Sequence, residues 1–288
     1  MDLVNVEYRE YEITPAHCQR IADRTRKISG VRIDTSKTDF IRLRLSHRLR
    51  TLGVKTFDAY LDRLESDTTG VETRLLAEAL ATHTTDFFRE RHQYDWLARE
   101  GLASLKAGGI GHRHPLVVWS AACSTGAELW SAGMLIAESE DFNAVPGRVR
   151  LIGSDLSKAI LRKAAGATYT EDEIGGLSAE RKTRFLLRSK TKRDPRGRPY
   201  YRIDPELRGI SKFLQANLLD TAPLRSETMD IVFLRNVLIY FDRETQDRVL
   251  TNVISLIRPG GILFTGHAEP VKGRSDLVTV SPSVYRKR

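Results

Sequence analysis

Asp230-Ile-Val-Phe-Leu-Arg-Asn-Val-Leu-Ile-Tyr-Phe-Asp242, followed at once by Arg243-Glu-Thr-Gln246, is the stretch on which the reading of this chain turns. Ile231 to Leu234 form a continuous apolar run, the pattern of a strand buried on both faces of a parallel sheet. The run ends in Arg235-Asn236, and a second aliphatic-aromatic run begins at Val237. Charged and amide side chains rarely interrupt a core unless the end of the strand faces a site.

Working outward, four more short apolar runs share this texture: Leu116–Ser120, Arg150–Ser154 closing on Asp155, Lys212–Ala216 and Gly261–Thr265. Helical segments such as Glu128–Glu138 alternate with most of them, so the expected class is α/β, a doubly wound Rossmann-like sheet. Arg258-Pro-Gly-Gly261 reads as a helix-to-strand turn. Val278–Val280 and Ser283–Tyr285 read as an antiparallel edge hairpin. A charged Pro/Gly turn between Arg188 and Asp204, flanked by strand-like Phe185–Leu187 and Tyr200–Ile203, reads as a small antiparallel β insertion, about 185–211.

The N-terminal region is different. Ile41, Leu45, Leu49 and Leu52 form one helical apolar stripe; Arg44 and Arg48 share a neighbouring face, flanked by Arg42 and Arg50. Gly53 stops that helix. Thr56-Phe57-Asp58 starts another, and a third runs from Val71. The expected organisation is an all-α domain over 1–80, a linker over 81–100 that contributes to the site, and the α/β domain over 101–288.

The 288 residues carry a formal charge of +9, unevenly placed. Ten Lys/Arg against three Asp lie between Arg20 and Arg50, and nine against one between Arg181 and Arg198. Such clusters point to acidic partners, protein or nucleic acid, or simply to solvated helix faces. Cys18 and Cys123 are the two cysteines, which gives neither a disulfide framework nor a metal-ligand spacing. The opening decapeptide is too polar for a signal sequence, and no apolar run is long enough to span a bilayer. A cytoplasmic protein without metal or membrane insertion, acting as a monomer, is expected.

Ligands of open α/β sheets bind outside the carboxyl ends of the strands. After the first strand comes Ala121-Ala-Cys-Ser-Thr-Gly-Ala-Glu128, a small-residue loop without the G-x-G-x-x-G or Walker spacing. Asp155, ending the second strand, is placed to accept hydrogen bonds from a ribose, or else to cap the helix that follows. Loop and acid together suit methyltransferases and dehydrogenases equally.

Motif wording separates the two. The Arg235–Asp242 stretch with Thr245-Gln246 resembles the "CRNVLIYFD…TQ" signature of the CheR family of bacterial chemoreceptor methyltransferases. Thr82-His-Thr-Thr-Asp-Phe-Phe-Arg-Glu90 is similar to its "TTN-x-T-x-FFRE", and Trp119–Glu128 to "W-x-A-x-CSTGEEPYS". Gly153-Ser-Asp-Leu156 with Tyr169 resembles "ATDID…GxY", Asn217–Asp220 matches "NLLD", and Pro259–Glu269 resembles "PGGYLFLGHSE". Together with the opening stretch, these five further motifs fall in order between about Ile13 and Tyr285.

The resemblance implies binding of S-adenosylmethionine, with S-adenosylhomocysteine as product, at His83, Thr85, Arg89, Glu128, Asp155, Asn217, Leu218, Asn236 and Val237. Asp155 would hold the ribose, and Asn217 with Leu218 the adenine edge. Arg89 and Tyr240 would be the catalytic pair at the reacting end. It implies γ-methyl esterification of glutamates on the helical cytoplasmic region of chemoreceptors. Arg42, Arg44, Arg48 and Arg50 would dock those helices, and the β insertion would be a possible site for a receptor C-terminal peptide. Ala127, His83 and Ala268 depart from the family wording, and Asp86 adds a charge beside the site. A non-catalytic receptor- or cofactor-binding protein of the same fold is the alternative. A nucleic-acid methyltransferase is disfavoured, because the strand end is Arg235-Asn-Val237 and not Asn/Asp-Pro-Pro-Tyr/Phe.

Overall fold

The computed structural model describes residues 11–112, 114–142 and 147–288, so the polar opening residues read above as carrying no signal sequence lie outside the described residues. The chain divides into two compact units, 1–82 with 240–246, and 83–239 with 247–288. No described helix is long and apolar enough to cross a membrane.

The first unit is built from α1 (Pro15–Ser29), α2 (Thr38–Leu52), α3 (Phe57–Glu65) and α4 (Val71–Leu80). Local chemistry sets the ends. Thr14 accepts from the His17 amide while the His17 ring reaches back to Thr14, a reciprocal cap; Thr56 caps α3; Gly30 and Gly53 end α1 and α2 in the left-handed conformation. The stripe Ile41, Leu45 and Leu49 is fully buried against Cys18, Ile21, Phe57, Tyr60 and Leu76.

The second unit opens with α5 (Arg91–Trp96), a π-helical turn (Leu97–Gly101) and α6 (Leu102–Ala107). Phe87, Phe88, Tyr94, Trp96 and Leu97 enter its hydrophobic core. The segment 81–100, expected as a linker, is thus largely structural in this unit.

The strands that follow are β1 (Leu116–Ala121), β2 (Val149–Asp155), β3 (Thr168–Tyr169), β4 (Leu186–Arg193), β5 (Pro199–Ile203), β6 (Ser211–Gln215), β7 (Met229–Leu234), β8 (Ile257–Thr265), β9 (Leu277–Ser281) and β10 (Val284–Lys287). Between them lie α7 (Ala127–Glu138), α8 (Lys158–Gly166), α9 (Ala179–Phe185), α10 (Pro205–Gly209) and α11 (Arg243–Ser255). The main sheet has the order β6-β2-β1-β7-β8-β10-β9, parallel through β8 and antiparallel at the β10-β9 hairpin. β1 and β7 are buried throughout, as continuous apolar runs require. Asp230, the second residue of β7, is a buried carboxylate. It accepts from the Val117 amide at 2.8 Å and from Arg258 at 2.8 Å, tying β7 to β1 and β8.

Two local expectations change. Arg258–Gly261 is not a turn ahead of the strand: β8 begins at Ile257, and Pro259 and Gly260 (φ +82) form an irregularity within it, across which the register jumps between Met229 and Ile231. The β insertion gains a third strand, since Thr168-Tyr169 pairs with β5 to give the order β3-β5-β4.

Candidate active site

Chain order along the sheet runs outward from β1 through β2 to β6, then returns to β7 and β8 on the other side. The β1/β7 crevice is therefore the topological switch point, where α/β sheets bind ligands. The loop after β1 is curled tightly there. Ala122, Ser124 and Gly126 all have positive φ (62°, 51° and 88°). The strain is held by the Cys123 amide on Ser154 O (2.8 Å), the Ser124 amide on Asp155 Oδ2 (2.9 Å), Ser124 Oγ on His83 O (2.7 Å) and the Tyr169 hydroxyl on Thr125 O (2.6 Å). A Cβ on Gly126 would lie 2.9 Å from Trp130 Nε1. Only glycine fits.

Asp155 ends β2 almost completely buried. Its Oδ1 accepts from the Ser157 amide (3.0 Å), and Ser157, not Asp155, caps α8. An ionised carboxylate offers about four lone-pair positions. The two amides use two of them, which leaves acceptor capacity suited to a vicinal diol. The next strand end is tied in by the Ala216 amide on Asp155 O (3.1 Å). Asn217 Oδ1 then accepts from Leu219 N (3.0 Å), while Asn252 holds the carbonyls of Leu218 and Leu219 at 3.0 and 3.1 Å.

At the end of β7, Arg235 is buried with 1% of its side chain exposed. Its Nε lies 3.5 Å from Glu128 Oε2 and 3.7 Å from Glu90 Oε2, and its guanidinium donates to the Arg89 carbonyl. It also lies over the Tyr94 ring at 5.5 Å. Glu128, opening α7, accepts from Ser120 Oγ at 2.6 Å. Burial pushes the Glu128 carboxyl above the ordinary range, opposed by the Arg235 charge and the Ser120 hydroxyl. Burial also acts to raise Glu90, but there Arg235, His267 and Asn236 outweigh it and hold it low. Burial disfavours the charged form of Arg235, yet the surrounding carboxylates raise its pKa further.

Phe88, Glu90 and Asn236 also have positive φ (54°, 59° and 56°). Phe88 N donates to Ser131 Oγ at 2.9 Å, and Asn236 Nδ2 to Glu90 Oε1 at 3.3 Å. Backbone strain is thus concentrated in three loops at one rim of the sheet. The rim gathers His83, Arg89, Glu128, Asp155, Asn217, Leu218 and Asn236. Arg89 is half-buried with Nη1 3.3 Å from Thr84 O; Thr85 and Val237 are half-buried beside these loops, and Asp86 is exposed. Tyr240 falls in the 240–246 segment of the first unit, where its carbonyl accepts from the Arg32 amide at 2.7 Å.

Three residues of the rim carry no role in the reading from sequence: Arg235, Glu90 and Glu269. Arg235 had a signal, a charge at the end of an apolar strand. Glu90 and Glu269 each close a motif quoted above, but no role followed from it, because their partners are distant in sequence.

In α2, Arg48 pairs with Glu72, which also accepts from the Tyr60 hydroxyl at 3.1 Å. Expected on the docking face, Arg48 is instead committed within the helical unit. Arg42 is half-buried on Asp39 (2.6 Å), Arg44 lies over Phe40 at 5.2 Å, and Arg44 and Arg50 are exposed.

A small-residue loop, a buried acid ending the neighbouring strand and a switch-point crevice define an α/β protein built for a nucleoside-containing ligand. The particular family follows from comparison. Residues 83–286 match the SAM binding domain of CheR methyltransferases and residues 16–81 match their all-alpha domain; the chain belongs to the CheR methyltransferase family. Chemotaxis protein methyltransferase 2 of Pseudomonas aeruginosa is 34% identical over 278 residues, 96% of this chain and 95% of that protein. The chemotaxis protein methyltransferase of Escherichia coli is 33% identical over 257 residues, 89% and 85% of the two chains. Among solved structures, the plantazolicin methyltransferase BamL is similar at a TM-score of 0.37 and 12% identity, over 88% of this chain and 59% of that one, a likeness too distant to bear on function.

Proposed function

We propose that the protein transfers a methyl group from S-adenosylmethionine to glutamate side chains on the cytoplasmic helices of chemoreceptors, forming γ-methyl esters. The observation that carries this reading is the tandem match of both family domains, with Arg89, Glu128, Asp155, Asn217 and Asn236 at the rim of one sheet. The ligand fits the residues present: Asp155 retains acceptor capacity for the ribose hydroxyls, and Asn217-Leu218 lies on the strand end beside it. His83, Thr85 and Val237 complete the set.

When bound, S-adenosylmethionine supplies a methyl group activated on a sulfonium. A glutamate with a pKa of about 4.3 is already an anion at neutral pH, so the protein needs to orient the acceptor and not to deprotonate it. Arg89 presents a planar fork of donors suited to a carboxylate, and Tyr240 carries the hydroxyl that the family resemblance assigns to the reacting end. Arg235, held between the Glu90 and Glu128 carboxylates, donates to the Arg89 carbonyl and so ties down the loop that carries Arg89. Exclusion of water favours a reaction in which an anion and a cation neutralise each other.

The helical unit serves as the receptor-docking domain, with Arg42, Arg44 and Arg50 facing acidic helices. The free edge of β4, rich in exposed cations, suits addition of a receptor C-terminal strand. The protein would act in the cytoplasm, as a monomer, without nucleic acid or metal. The test is methylation of a purified receptor cytoplasmic fragment followed by peptide mass mapping. Methyl esters on glutamates support the reading; methylation confined to amines or hydroxyls overturns it.

A further inference from the structure

Glu269 follows β8, yet its side chain serves another strand end. The carboxylate is buried, with 5% of the residue exposed, and accepts three main-chain amides: Asn236 N at 2.7 Å and Gly266 N at 2.8 Å on Oε2, and Ile239 N at 3.1 Å on Oε1. Its own main chain is pinned by Thr265 Oγ1 on Glu269 O (2.9 Å) and by the Glu269 amide on Gly266 O (2.9 Å). One rigid carboxylate therefore spans the whole turn from Asn236 to Ile239. Asn236 sits in the left-handed region at φ 56°, a conformation that a non-glycine residue keeps only when its surroundings impose it. Gly266 leaves room for the clamp. A Cβ there would lie 2.5 Å from Glu269 Oε2 and 2.9 Å from Asn236 Nδ2.

We infer that Glu269 is a positioning residue for the cofactor site: its carboxylate holds the strained Asn236-Val237 corner in the geometry that receives the ligand. The inference rests on the reading that Asn236 and Val237 touch S-adenosylmethionine, and it adds a residue behind that contact, bonded to the Asn236 main chain. Charge-assisted hydrogen bonds to amides are short and strong, so losing three of them frees the corner to relax out of the left-handed region. Asp230 gives the matched comparison. It is also a buried carboxylate on β7, accepting a main-chain amide, but at the opposite end of the strand.

The test is calorimetric titration of S-adenosylhomocysteine into the full-length wild-type protein and its Glu269→Ala, Glu269→Gln and Asp230→Asn variants, with melting temperatures recorded alongside. Glu269→Ala is expected to bind about tenfold more weakly or worse, the scale of a lost hydrogen bond to a charged group. Glu269→Gln should be intermediate, since an amide oxygen can keep the Asn236 and Gly266 contacts but its NH2 meets the Ile239 amide. Asp230→Asn should melt lower than wild type while binding within about twofold of it. Wild-type affinity in both Glu269 variants overturns the inference, as does equal weakening by Asp230→Asn. If Glu269→Ala does not fold, Glu269→Gln decides, and unchanged affinity in it overturns the assignment. A wild-type protein that binds no S-adenosylhomocysteine fails the reading on which the inference stands, a different outcome from a bound wild type with an indifferent Glu269.

Discussion

The guanidinium of Arg235 donates to the main-chain carbonyl of Arg89, 146 residues earlier in the chain. Through that bond the end of β7 fixes the loop carrying the proposed catalytic arginine, and Glu90 and Glu128 supply the neutralising charge. Arg235→Ala removes a buried cation and leaves two half-buried carboxylates facing each other, and stability should fall by about 3 kcal/mol in denaturant titration. Arg235→Lys keeps the charge but not the fork. It should remain folded and lose methyl transfer far more than it loses stability.

Glu128 has a pH signature. Its folded carboxyl is held above the ordinary value by burial, so the protonated form is the better accommodated one. Its contribution to stability is complete below the unfolded value of about 4.3 and is lost as pH rises through the raised value. Glu128→Gln should therefore melt above wild type at neutral and mildly alkaline pH, with the gap closing towards pH ~4, while binding S-adenosylhomocysteine more weakly. Melting scans from acid to alkaline pH read both curves; a variant less stable than wild type at neutral pH contradicts the assignment.

Gly126→Ala forces a side chain into a left-handed position already crowded by Trp130 and Ala164. A stability loss of about 1–3 kcal/mol and weaker cofactor binding are expected, read by denaturation and calorimetry.

The four arginines of α2 should separate into two kinds. Arg48→Ala strands the buried Glu72 and should cost about 1–3 kcal/mol in unfolding experiments. Arg44→Glu with Arg50→Glu should leave stability nearly unchanged and slow methylation of receptor, with the slowing diminished at high salt.

The sequence carried the strands through their apolar runs, the helix ends through Thr56 and Gly53, and the candidate rim through Asp155 and the loop before Glu128. These signals are local. The Arg48–Glu72 pair was not legible because periodicity names a helix face, not the buried Glu72 that packs on it. Thr168-Tyr169 is too short to show alternation, and Pro259-Gly260 reads as a turn even where pairing with β7 carries a strand through it. Glu269 closes the Pro259–Glu269 motif, but its bond to Asn236, 33 residues away, is not legible from that motif.

The most direct measurement is transfer of labelled methyl from S-adenosylmethionine to receptor-containing membranes of the source organism, followed by alkali. Carboxyl esters release volatile methanol, whereas N-methyl groups do not. Alkali-labile label with wild type, lost with Arg89→Ala while S-adenosylhomocysteine still binds, is the result expected of a glutamate methyltransferase. Label that resists alkali, or no label from a protein that binds S-adenosylhomocysteine, contradicts it.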